Sequence, residues 1–172
     1  LINIDYASGG LFEKQQVLGR DGYHIAGTGF SLTRDTRNHA FTPGKGVFLQ
    51  ALFIRFDPLL GSSYRFTNYT VDLRQFHTFN DKTVLASQLY GFFNIGDVPF
   101  RSLATFGGAG SMRGYYDGRY RDRNQVVLQE EIRYHLTGPW GLVVFANAGD
   151  IGKSPGDFYR MLRRAPLLHQ GL

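Results

Sequence analysis

The feature that most constrains this chain is two-residue alternation over segments long enough to cross a membrane. In "QVVLQEEIRYHL", Val126, Leu128, Ile132, Tyr134 and Leu136 fall on one side, and Gln129, Glu131, Arg133 and His135 on the other. In "YRFTNYTVDLRQF", Tyr69, Val71 and Leu73 oppose Asn68, Thr70, Asp72 and Arg74. In "TGFSLTRD", Phe30 and Leu32 oppose Ser31, Thr33 and Asp35. Such a period describes strands with one apolar and one polar face. Glu130 breaks the pattern, because it falls on the apolar face.

The alternation predicts strands over about 26–37, 46–57, 64–79, 82–95, 124–136 and 141–151. Turn-forming clusters separate them: "FTPGKG", "DPLLGSS", "FNDK" and "TGPW". Two connections, 96–123 and 152–170, are long and irregular, and "FYRMLRRAPLL" in the second has room for one helical turn. Tight turns alternating with longer loops predict an all-β, up-and-down antiparallel meander. Composition agrees, with 15 Phe, 10 Tyr and 22 Gly in 172 residues.

Two folds share this pattern. In a soluble sandwich the apolar faces form the core. In an outer-membrane barrel they meet lipid, and the polar faces line the lumen. Charges at strand centres (Asp72, Arg74, Glu131, Arg133) and aromatics near strand ends (Tyr64, Phe66, Phe76, Phe79, Phe92, Phe93) favour the barrel. The pattern alone leaves both folds open. No run approaches the ~18 apolar residues of a membrane helix. The opening "LIN" and the ending "HQGL" read as cuts in a longer polypeptide.

The long connection separates the two folds. "VPFRSLATFGGAGSMRGYYDGRYRD", then "LQEEIRY", then "VVFANAG", resembles the C-terminal barrel of the bacterial surface antigen family. That superfamily contains the outer-membrane protein assembly factors, their translocation relatives and the two-partner secretion transporters. Upstream, "LTRDTRNHAFTPGKGVF" resembles the family's periplasmic turn, carried here by Asp35, Arg37, Pro43 and Gly46. The resemblance covers about residues 27–152. Its strength lies in the ordered set of Pro-Phe, Gly107-Gly108, Arg113-Gly114-Tyr115, a Glu in the next strand and Phe-x-x-x-Gly in the one after.

The resemblance implies a transmembrane barrel of ~16 strands, of which residues 1–172 supply about six strands and an inward-folded loop 6. The first and last strands of the barrel then lie outside this chain. It implies a loop arginine, Arg113, latched to Glu131 and to the position of Asn147, where the family usually has Asp. It also implies a place in the bacterial outer membrane, in contact with lipid and lipopolysaccharide. The work implied is insertion of unfolded outer-membrane proteins or passage of secreted polypeptides, with accessory lipoproteins as further partners. A family barrel that anchors or exports a fused patatin-like lipase is the alternative, and a soluble β-sandwich binding module is the second.

Spacing adds support of its own. The last turn centres near Gly138–Pro139, so Glu131 and Asn147 are almost equidistant from it on adjacent strands and should sit nearly side by side. A guanidinium drawn into a lumen needs such a partner, or it costs several kcal/mol. Gly110 and Gly114 are expected to let the loop turn around it.

Other chemistries lack their residues. There is no cysteine, and the five histidines have no metal-ligand spacing. No Ser/His/Asp order and no paired carboxylates point to catalysis. "GKG" at 44–46 lacks the spacing and hydroxyl of a phosphate loop. The net charge of +5 and the tyrosines among Arg119, Arg121 and Arg123 suit nucleic acid only within a binding motif, and none frames them. Those arginines read as a loop rim, with lipopolysaccharide phosphates as a candidate ligand. No cofactor is implied.

Overall fold

The structure is a computed structural model and describes residues 17–108, 110, 112–156 and 158. Among these residues eight strands form in chain order: β1 (Gly27–Asp35), β2 (Gly46–Phe56), β3 (Phe66–Asn80), β4 (Thr83–Gly96), β5 (Ala104–Phe106), β6 (Tyr120–Asp122), β7 (Asn124–Thr137) and β8 (Trp140–Gly152). Six make one antiparallel sheet in the order β1-β2-β3-β4-β7-β8. The expected long strands are present to within about two residues at each end. The connection 96–123 is more ordered than expected, because it contains the small β5-β6 pair. The expected turn in "FYRMLRRAPLL" falls almost wholly outside the described residues.

Side-chain burial is inverted relative to a soluble sheet. Buried positions include Asn68, Asp72, Asn94, Gln125 and Asn147, whereas Phe30, Leu32, Leu128, Ile132 and Val144 are exposed. Among the described residues no second sheet covers the apolar face. A soluble sandwich buries that face, so the soluble reading does not fit. A barrel wall in lipid needs this inversion.

Register sorts the faces. Phe76, Ala86, Glu131 and Phe145 form one inward row across β3, β4, β7 and β8. Arg74, Gln88, Gln129 and Asn147 form the next. Phe66, Phe76 and Phe92 share the parity of Asp72 and therefore point inward, not into a lipid-facing aromatic girdle. Parity also resolves Glu130. It faces outward between Ser87 and Ala146, and the Ser87 hydroxyl donates to its carboxylate at 2.6 Å.

The β1-β2, β3-β4 and β7-β8 connections lie at one end of the sheet. At the β1-β2 turn, Arg37 chelates Asp35 through Nη2 at 2.6 Å and Nε at 2.9 Å, and stacks over Phe48 at 4.7 Å. Pro43 is buried there. Gly46 has φ +105°, and a Cβ on it would lie 2.3 Å from the Thr36 carbonyl. The opposite end carries the β2-β3 and β4-β7 connections. In one of them, Asp57 accepts the Leu59 amide at 3.2 Å and meets Arg65 at 3.2 Å and Arg55 at 3.4 Å.

The Leu59 amide, with Arg65 and Arg55, holds the Asp57 carboxyl below its ordinary value. A depressed carboxyl stabilises the fold above its unfolded pKa of about 3.9, and that contribution fades as pH falls through the lower folded value. An NMR titration of the Asp57 carboxyl should therefore give a midpoint under about 3.9. A midpoint at or above that value would contradict the capped geometry.

Candidate functional site

The loop between β4 and β7 folds back over the polar face of the sheet. Phe106 and Met112 are buried against Val127 of β7, with Tyr90, Tyr115 and Ile151 around them. This small apolar cluster holds the loop down. Its one signal in the sequence is a methionine beside the Arg-Gly-Tyr run. Backbone bonds then shape the tip: the Gly108 amide donates to the Tyr115 carbonyl at 3.0 Å, and the Met112 amide to the Gly108 carbonyl at 3.1 Å. Tyr115 packs edge-on to Phe106 at 5.9 Å.

Glycine is required at particular points. Gly107 has φ +119°, and a Cβ there would lie 2.2 Å from the Tyr116 carbonyl. Gly114 has φ +99° with open space around it, so its requirement is conformational, not steric. Gly110, expected to turn the chain, is not among the positive-φ glycines.

The turn delivers Arg113 to the wall. Its Nη1 donates to Glu131 Oε2 at 2.6 Å, and its guanidinium lies 5.1 Å over the Phe145 ring. The other oxygen, Oε1, accepts Arg133 Nε at 2.5 Å. Glu131 therefore serves two cations, one from the loop and one from its own strand. Its side chain is only 13% exposed, against 39% for Arg113. Charge-assisted bonds are strongest at such a shielded carboxylate.

Asn147 occupies a different role from an acidic partner. The residue opposite Glu131 is Phe145, while Asn147 lies opposite Gln129, one diagonal step along the same face. The expected side-by-side placement thus becomes a diagonal one. Asn147 Nδ2 donates to the Arg113 backbone carbonyl at 3.3 Å. It steadies the loop backbone, and the guanidinium is left to Glu131. An Asp at this position, having no N–H, could not make this bond.

Sequence reasoning picks out Asp35 and Arg37 at their turn but misses that the same unit recurs on this face. Asp35-Arg37, Asp72-Arg74 and Glu131-Arg133 each place an arginine two residues after an acid, and each pair is closed, at 2.6, 2.6 and 2.5 Å. The acid-x-Arg spacing is readable within β3 and β7, where residues i and i+2 share a strand face, and again at the end of β1. Arg119, Arg121 and Arg123 are not drawn into the latch. Arg119 stacks on Tyr120 at 5.6 Å and Arg121 on Phe100 at 5.2 Å. Among the described residues no group of three or more His, Cys, Asp or Glu could hold a metal ion.

Comparison with known proteins gives the same architecture. A family model described as the Omp85 superfamily domain matches residues 3–163. Among solved structures, the chain resembles BamA from Haemophilus ducreyi lacking POTRA domains 1–3, with a TM-score of 0.66 at 16% identity. The match covers 81% of this chain but only 32% of that one. A search of curated proteins finds no match. The chain belongs to the Omp85 superfamily, and its sheet has the fold of an outer-membrane barrel of that superfamily.

The geometry makes Arg113→Ala and Glu131→Ala loosen the same loop, by about 1–3 kcal/mol for a charge-assisted pair that is part exposed. Limited proteolysis of folded protein should then cut within residues 110–123 of both variants and spare the parent. Equal resistance in all three would contradict a latch. Gly107→Ala should also loosen the loop, although it touches neither charge.

Proposed function

We propose that this chain forms part of a bacterial outer-membrane barrel that inserts outer-membrane proteins or passes polypeptides across that membrane, without an enzymatic step. The observation that carries the reading is the arginine of an inward-folded loop paired with a wall carboxylate, Arg113 to Glu131 at 2.6 Å, in a chain of the Omp85 superfamily. The chain spans about a third of the BamA chain it resembles, so the activity belongs to a longer protein of which this sheet is one wall.

In this reading the loop is a brace. Met112, Phe106 and Tyr115 seat it by packing, and Arg113 fixes its tip in register with β7. Seated, it stiffens β7 and β8 from the inside and occupies lumen volume. Released, it frees that volume and lets the two strands shift. The outward apolar face meets lipid, and Arg119, Arg121 and Arg123 suit lipopolysaccharide phosphates at the rim. Unfolded barrel proteins or secreted chains are the substrates, and accessory lipoproteins are further partners.

Reconstitution tests this directly. The full-length protein, placed in liposomes, should speed the folding of an added small barrel protein several-fold over empty liposomes, read as heat-modifiable gel mobility. Failing that, it should pass a labelled polypeptide into the lumen. Arg113→Ala should lower whichever rate is seen. Neither activity in correctly folded protein would overturn the proposal.

A further inference from the structure

Beside the latch lies an open cavity of about 140 Å³ on the inner face, lined by Arg74, Arg113, Arg133, Gln88 and Gln129 among others. Its charge does not balance. Arg74 is paired with Asp72, while Arg113 and Arg133 share Glu131. Among the described residues, three guanidinium groups thus have two carboxylates, which leaves one positive charge over. Glu130 borders the cavity, but its carboxylate lies on the outer face against Ser87. Asp117 lines the adjoining cavity.

The donors are also unspent. Arg74 gives Nε and Nη2 to Asp72, Arg133 gives Nε to Glu131, and Arg113 gives Nη1. The remaining N–H groups have no acceptor among the described residues. Unpaired guanidinium donors in a concave, part-desolvated site select oxyanions. Gln88 and Gln129 are tied to each other and to Asp72 by 2.9 and 3.0 Å bonds, which keeps the cavity floor in one arrangement.

The row of guanidinium groups is longer than one small ion, although Arg37 at its end is itself paired with Asp35. Arg74 and Arg37 stack against the same ring, Phe48, at 5.6 and 4.7 Å. The guanidinium groups therefore run from the β1-β2 turn through Arg74 to Arg133. An extended segment carrying acidic residues on one side fits this line better than a free ion. We propose that this inner-wall cavity binds side-chain carboxylates of an acidic polypeptide segment passing through the lumen. The inference rests on the proposed role in polypeptide handling and specifies which segments are held.

A fluorescein-labelled hexaglutamate peptide, titrated into the full-length protein in detergent micelles, provides the test. Fluorescence anisotropy should show saturable binding, and a labelled hexaserine peptide should show none. Arg74→Gln removes one donor set outside the latch and should weaken binding about tenfold. Gln88→Glu breaks no ion pair but places a competing carboxylate in the cavity, and it should weaken binding at least as much. Heat-modifiable mobility confirms that each variant folds. Hexaglutamate binding no better than hexaserine would overturn the proposal, as would both variants binding like the parent. Binding of inorganic phosphate that hexaglutamate cannot displace would also overturn it, leaving a small-ion site. Liposome activity without hexaglutamate binding would sink this inference and leave the proposed function standing.

Discussion

One carboxylate organises this part of the molecule. Glu131 sits on the inner face of β7 and accepts from two guanidinium groups, at 2.6 and 2.5 Å. Arg133 comes from the same strand and is present whether or not the loop is seated. Arg113 comes from a loop otherwise held by a small apolar cluster and a few hydrogen bonds. The arrangement is asymmetric: with the loop lifted, Glu131 keeps Arg133, while Arg113 loses its carboxylate. A buried charge stripped of all partners costs several kcal/mol. The retained Arg133 spares Glu131 that cost, so the latch can open without leaving the wall carboxylate bare.

The sheet around this pair separates two solvents. One face exposes Phe30, Leu32, Leu128, Ile132 and Val144, and the other buries Asn68, Asp72, Gln125 and Asn147. Each face satisfies its groups by its own means. The inner face closes its charges into acid-x-Arg pairs and amide bonds. The outer face carries an acid near the middle of a long strand, Glu130, and gives it the Ser87 hydroxyl. An ionisable group in a lipid-facing row is expensive, and a short hydrogen bond across the strand pair offsets part of that. The loop works the same way at smaller scale, with Phe106, Met112 and Tyr115 against Val127 and Arg113 beyond them at Glu131.

Much of this architecture is legible in the amino-acid sequence. The period of two locates the six long strands, because a strand with one face in lipid and one in a polar lumen alternates in this way. Resemblance and turn arithmetic together single out Arg113 and Glu131, and the two residues lie in contact. Other features are harder to read. Phe66, Phe76 and Phe92 group by nearness to strand ends, whereas parity alone places them inside. Asn147 nearly matches Glu131 by distance from the turn, but a turn at 138–139 pairs Glu131 with Ala146, and the one-residue irregularity between His135 and Thr137 moves the pairing on to Phe145. The β5-β6 pair, of three residues each, leaves too short a pattern to detect, since it is held by tertiary packing of the loop. The surplus of arginine on the inner wall is hidden for another reason. Net charge counts the whole chain, whereas the excess belongs to one cavity.

Hydrogen exchange at the loop amides, compared in parent, Arg113→Ala, Glu131→Ala and the double variant of the full-length protein, tests the Arg113–Glu131 latch most directly. If this pair fixes the tip of the packed loop, the two single losses of protection are alike and the double variant adds nothing further. If the losses simply add, or if neither single variant changes exchange at Gly108 and Met112, the ion pair does not hold the loop.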